Sequence, residues 1–154
     1  MSAAELTIQN ETFAVVHEGA LWHARERMLI VADLHFEKGS AFAERGRGLL
    51  PPYDTRATLL RLGALIARLD PARVVALGDS FHDAGSFDRM LPDDRDMLAI
   101  IQEDCEWIWV TGNHDPLIGA KAGGHVVPEV CVEGLTLRHE PSLSAVTHEI
   151  AAHL

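Results

Sequence analysis

Three polar clusters, each closing an apolar run, constrain this chain more than any other feature. Asp33-Leu34-His35 follows Met28 to Ala32, Gly78-Asp79-Ser80-Phe81-His82-Asp83 follows Val74 to Leu77, and Gly112-Asn113-His114-Asp115 follows Trp107 to Val110. Short runs of β-branched and aromatic residues bounded by turn formers read as strands. A strand that ends in a polar turn delivers its side chains to the carboxyl edge of a sheet, where open α/β folds bind their ligands. Asp, His and Asn gathered at one edge make a mixed oxygen and nitrogen donor set, which suits divalent ions such as manganese, iron or zinc. A metal centre is therefore the first expectation.

The segments between the clusters support that architecture. Pro51-Pro52 interrupts the chain, and Asp54 is expected to cap a helix running to about Leu69, with Leu59, Leu62, Ile66 and Leu69 forming one buried stripe. A second helix is expected from near Pro92, turning Met97, Leu98 and Ile101 inward. Strands alternating with helices imply a largely parallel sheet. Outside this core the pattern changes. Phe13 to Val16 and Ala20 to Trp22 flank Glu18-Gly19, and Val130 to Val132 and Leu135 to Leu137 flank Glu133-Gly134. Both read as hairpins and together predict a second, antiparallel sheet. With 154 residues, 47% of them hydrophobic, the chain is long enough for one compact domain spanning 1–154.

Charge and cysteine usage narrow the function. A net charge of −10 argues against binding nucleic acid through bulk electrostatics, although bound divalent ions would reverse the sign locally. Lys38, Arg45 and Arg47 outnumber Glu44 in what reads as a loop after the first cluster, and they are candidate substrate-binding cations. Cys105 and Cys131 form no CxxC pair, so neither a disulfide framework nor a zinc knuckle is indicated. No apolar stretch approaches the ~20 residues of a membrane span, and the N-terminus lacks a signal-peptide pattern. A cytoplasmic, membrane-free setting is expected. His17, His23 and His125 lie outside the motifs and read as surface or strand residues, while Trp107 and Trp109 read as packing. His148 and His153 are five residues apart, so the HExxH protease spacing is not met.

The order DxH, GDxxxx, GNHD and then isolated histidines resembles the calcineurin-like metallophosphoesterase superfamily. Longer stretches, namely Ala32 to Gly39, Leu50 to Arg56, Leu77 to Asp83 and Leu137 to Pro141, resemble the bacterial ligase-associated DNA-damage-response endonuclease family. The resemblance implies an α/β fold of two stacked mixed sheets flanked by helices, two divalent metal ions, manganese foremost with iron and zinc as alternatives, and hydrolysis of phosphodiester bonds, as in DNA. It implies Asp33 and His35 on the first metal, Asp79 bridging both, and Asn113, His139 and His153 on the second. It also implies His114 as general acid at the leaving oxygen, with His82 as a further catalytic histidine in a Gly-Asp-Ser-Phe-His stretch similar to the GDxFH pattern of double-strand-break repair nucleases. Asp83 and Asp115 are alternative carboxylates for orienting His114. A functional association with a DNA ligase and helicase follows from the same likeness. Ala152 stands where that family has glycine, and the chain stops at Leu154, before the family's next histidine and its last strands. The second sheet is thus expected to be incomplete, inviting self-association at its open edge. A phosphomonoesterase, or a catalytically impaired remnant serving as a partner-binding module, are the competing expectations.

Overall fold

A computed structural model describes residues 4–46, 53–111, 121–144 and 148–153. Its central feature is a seven-stranded sheet whose spatial order follows the chain: β1 (Ala4–Ile8), β2 (Glu11–Val16), β3 (Ala20–His23), β4 (Met28–Val31), β5 (Arg73–Leu77), β6 (Glu106–Val110) and β7 (His125–Val127). The first three strands and β4 form an antiparallel meander, and β4 to β7 run parallel. A second sheet contains β8 (Glu129–Val132), β9 (Leu135–Arg138) and β10 (His148–Ala151), with β9 in the middle. Among the described residues, four helices accompany them: α1 (Lys38–Glu44), α2 (Asp54–Leu69), α3 (Ser86–Arg89) and α4 (Pro92–Gln102).

Strand periodicity explains the layering. Successive side chains point to opposite faces of a sheet. Leu29 and Val31, Val74 and Ala76, and Trp107 and Trp109 join α2 residues Leu59, Leu62 and Leu65 and α4 residue Leu98 in one buried cluster. The intervening Met28 and Ile30, Val75 and Leu77, and Ile108 and Val110 join Val132, Leu135 and Leu137 of the second sheet in another. The parallel strands are therefore covered on both faces, helices on one side and sheet on the other, which is why they read as continuous apolar runs. The packing role expected of both tryptophans holds.

Several expectations change. The N-terminal hairpin belongs to the large sheet, not to the second one, because β3 pairs antiparallel with β4. The second sheet is mixed and not antiparallel: β10 runs parallel to β9. The same strand carries His148. Asp54 is the first helical residue of α2 and Tyr53 occupies the cap position. The Asp54 carboxylate instead accepts the backbone N–H of Gly39 at 2.9 Å. Finally, the segment of Lys38 and Glu44 is helical, with Arg45 closing it. No helix among the described residues is long and apolar enough to cross a membrane.

Candidate metal centre

The loops that leave β4 and β5 are zipped together by their backbones. Asp33 N–H donates to the carbonyl of Gly78 at 3.3 Å, His35 N–H to that of Asp79 at 3.0 Å, Phe36 N–H to that of Ser80 at 2.9 Å, and His82 N–H back to that of Phe36 at 3.0 Å. This extension of the parallel ladder past the strand ends sets the first two polar clusters side by side. Asp33, His35 and Asp79 have φ values of 52°, 46° and 48°, in the left-handed region that non-glycine residues seldom occupy. Backbone strain of this kind, about 1–3 kcal/mol per residue, concentrates at functional sites.

Two triads of donors result, and Asp79 belongs to both. Asp33, His35 and Asp79 bring ligand atoms within 4.8 Å of one another, and so do Asp79, His139 and His153. The first triad comes from the large sheet, whereas His139 and His153 come from segments that follow β9 and β10. Backbone bonds from Ala152 N–H (3.1 Å) and His153 N–H (2.8 Å) to the carbonyl of His139 carry His153 to its place, and the two imidazoles stack at 5.3 Å.

Three observations test whether this geometry fits a metal. His139 Nδ1–H donates to the Leu77 carbonyl at 2.9 Å. That bond fixes the tautomer, so the Nε2 lone pair is available, the usual second-shell arrangement of a ligating histidine. His139 Nε2 faces Asp79 Oδ1 at 3.6 Å, and both atoms are buried without a hydrogen-bond partner among the described residues. Buried polar atoms left unpaired are costly, and a cation between them removes that cost. The third observation is Gly78, whose φ is +80°. A Cβ there would lie 2.5 Å from Cγ and 2.9 Å from Cβ of His139. The Asp79, His139 and His153 donor set fits a metal ion, and Asp79 also belongs to the first triad.

His82 stands beside the first triad, half-buried, its ring 6.3 Å from that of His35 and 5.8 Å from that of Phe42. Burial lowers its pKa below the ordinary histidine value. Asp83 works in the opposite direction, and the charges of His35, Arg45 and Lys38 assist the lowering. Lys38 and Arg45 thus lie within electrostatic reach of the site. Asp83 is committed elsewhere. It receives two bonds from the Arg89 guanidinium, at 2.9 and 3.0 Å, and burial of the carboxyl is outweighed by that pairing so that its pKa falls. Arg89 also donates to Ser40 Oγ at 3.0 Å, tying α1 to the loop that carries His82.

Asn113, His114, Asp115 and Arg47 lie outside the described residues. Of the expected ligands, Asp33, His35, Asp79, His139 and His153 converge. Sequence reasoning missed the Leu77 carbonyl, which no side-chain motif encodes, and Arg89, whose pairing with Asp83 spans six residues. His17 is exposed and bonds Glu18, and His125 is exposed on β7. His23 is a buried strand residue whose Nε2–H donates to Glu11 at 2.6 Å.

Comparison with known proteins finds no matching family model and no matching curated sequence. Among solved structures, the crystal structure of Pseudomonas putida nuclease MPE matches with a TM-score of 0.76 and 24% identity, covering 97% of this chain and 72% of that one. At that identity the likeness shows the fold: a mixed α/β architecture with a large and a small sheet.

Proposed function

We propose that the chain is a dinuclear, metal-dependent phosphodiesterase of the calcineurin-like metallophosphoesterase type, acting on DNA as a repair-associated endonuclease. The observation that carries this reading is the pair of ligand triads sharing Asp79, with Asp79 Oδ1 and His139 Nε2 buried and unpaired. The nuclease identity of the structural neighbour supports the same class. Divalent ions at such a centre would polarise the phosphoryl oxygen and neutralise charge on the attacking and leaving oxygens. The chain's own residues supply the rest. Asp33 and His35 would hold a first ion, His139, His153 and Asn113 a second, and Asp79 would be shared by both. His114 protonates the leaving oxygen, and His82, beside His35, orients the phosphate. Lys38, Arg45 and Arg47 draw the anionic backbone toward the edge of an otherwise acidic protein. Manganese is the proposed ion, and a DNA ligase and helicase are the proposed partners.

The test is manganese-dependent turnover of bis-p-nitrophenyl phosphate against p-nitrophenyl phosphate, followed by single-stranded and nicked DNA. Diester preference together with DNA cleavage is expected. Monoester preference with intact DNA at every manganese level rejects the nuclease reading in favour of a phosphomonoesterase. Asp79→Asn should lose metal from both triads. His114→Ala should keep its metal and slow turnover by ~10²–10⁴. Metal content by mass spectrometry beside kinetics separates the two variants, and the reverse pattern overturns the assignment.

A further inference from the structure

A cavity of about 200 Å³ opens beside the metal centre, between α2, the β2–β3 turn and the end of β4. Asp33 lines it and also belongs to the first ligand triad, so the cavity and the centre share a wall. From α2 come Thr58, Arg61, Leu62 and Leu65, at the i, i+3, i+4, i+7 spacing of one helix face. Leu62 and Leu65 are buried and form an apolar floor. For scale, an engineered apolar cavity of about 150 Å³ admits benzene. A planar heterocycle therefore fits on grounds of size.

The charges around the cavity are unequal. Of its two acids, Glu18 is bonded by Arg68 at 2.8 Å, and that pairing holds the carboxyl below the usual carboxylate range. On the same helix Arg56 pairs with Asp94. Arg61 is exposed and has no such partner among the described residues. Once Asp33 is engaged by a cation, the unspent charge at this mouth is the Arg61 guanidinium. An apolar floor, a hydroxyl, a free guanidinium and an adjoining phosphate-handling centre together describe a nucleotide, not a simple phosphate ester.

We propose that this cavity is a nucleoside subsite. It receives the base and sugar next to the phosphate held at the metal centre, and Arg61 binds the phosphate that follows. Resting on the phosphodiesterase reading above, the proposal adds what selects nucleic acid among diesters. Arg61 serves by charge, since a guanidinium fork is always protonated and matches phosphate oxygens two at a time.

The experiment is calorimetric titration of the manganese-loaded full chain with inorganic phosphate, thymidine 5′-monophosphate, thymidine 3′-monophosphate and thymidine 3′,5′-bisphosphate. One monophosphate should bind roughly tenfold tighter than phosphate, the scale of a single base contact. The bisphosphate should add a further increment. Thr58→Phe, which fills the cavity, should abolish the first increment and keep the affinity for inorganic phosphate. Arg61→Gln should abolish only the second. Equal binding of phosphate and all three nucleotides overturns the subsite while leaving the phosphodiesterase reading standing. Increments that survive both substitutions overturn it as well. If Thr58→Phe does not fold, Arg61→Gln at its exposed position decides alone, and unchanged bisphosphate affinity rejects the proposal. Absence of any manganese-dependent phosphate binding rejects the phosphodiesterase reading, and the subsite falls with it.

Discussion

Gly78 does two things that no other residue type can do at its position. It adopts a φ of +80°, and it leaves room for the His139 ring, which packs where a Cβ would sit. The ring can then reach the Leu77 carbonyl with one nitrogen and face Asp79 with the other. Gly78→Ala should therefore destabilise the fold by more than ~1 kcal/mol, since alanine is strained at positive φ and also displaces a buried ring. It should weaken manganese binding at the Asp79, His139, His153 triad by about 10–100-fold, the usual cost of disturbing the outer shell of a metal ligand. Isothermal titration and thermal melts check both halves, and full affinity at two equivalents refutes the assignment of His139 Nε2 as a donor. The clustering of Asp33, His35 and Asp79 was legible in the sequence because they sit just past strand ends, whereas His139 and His153 were legible only through the family resemblance. The left-handed backbone at Asp33, His35 and Asp79 was not, since it follows from the zipped loops and not from the residues' own preferences.

At the scale of elements, α1 shows why a helix can hide in a sequence. Glu37 precedes it in a left-handed conformation and provides no side-chain cap. The missing partners come from the next helix. Thr55 Oγ accepts the Glu37 N–H at 2.8 Å and donates to the Glu37 carboxylate at 2.9 Å, while Asp54 accepts from Gly39. The first turn of α2 thus caps α1, and a reading that looks for a cap within the segment finds only a loop. The N-terminal hairpin was misplaced for a related reason. Its turn and alternation were readable, but which sheet it joins depends on the pairing of β3 with β4 across a short connection. By contrast α4, with Pro92 at its start and Leu98 buried, was legible because its signals are local. Thr55→Val should leave the buried Glu37 N–H unsatisfied and cost about 1–3 kcal/mol. Because α1 carries Lys38 and is tied through Ser40 to Arg89, the same change should raise KM for DNA more than it lowers kcat. Denaturant unfolding and steady-state kinetics on the variant measure the two effects, and a loss of kcat at constant KM contradicts the link.

Across the whole molecule the candidate metal centre is a junction between layers. One triad is built by loops of the large sheet alone, and the other joins Asp79 of that sheet to His139 and His153 of the small one. Beneath it, the contact between sheets is the apolar layer of Phe13, Ile30, Val75, Leu135 and Leu137. An ion in the second triad therefore adds a polar clamp at one end of an apolar interface, and its binding free energy must appear as stability of the assembled sheets. At a hundredfold excess over Kd, a ligand that binds only the folded state contributes about 2.7 kcal/mol. For a domain of this size that corresponds to a rise in Tm of roughly 5–10 °C. His139→Ala should lose most of the rise produced by manganese, whereas His35→Ala should lose the part belonging to the first triad. Hydrogen exchange locates the effect. Manganese should slow exchange in β9 and β10 as well as in β4 and β5, and chelation should reverse it. The prediction turns on the small sheet: protection confined to β4 and β5, with β9 and β10 unchanged, would mean that the second triad does not bridge the layers.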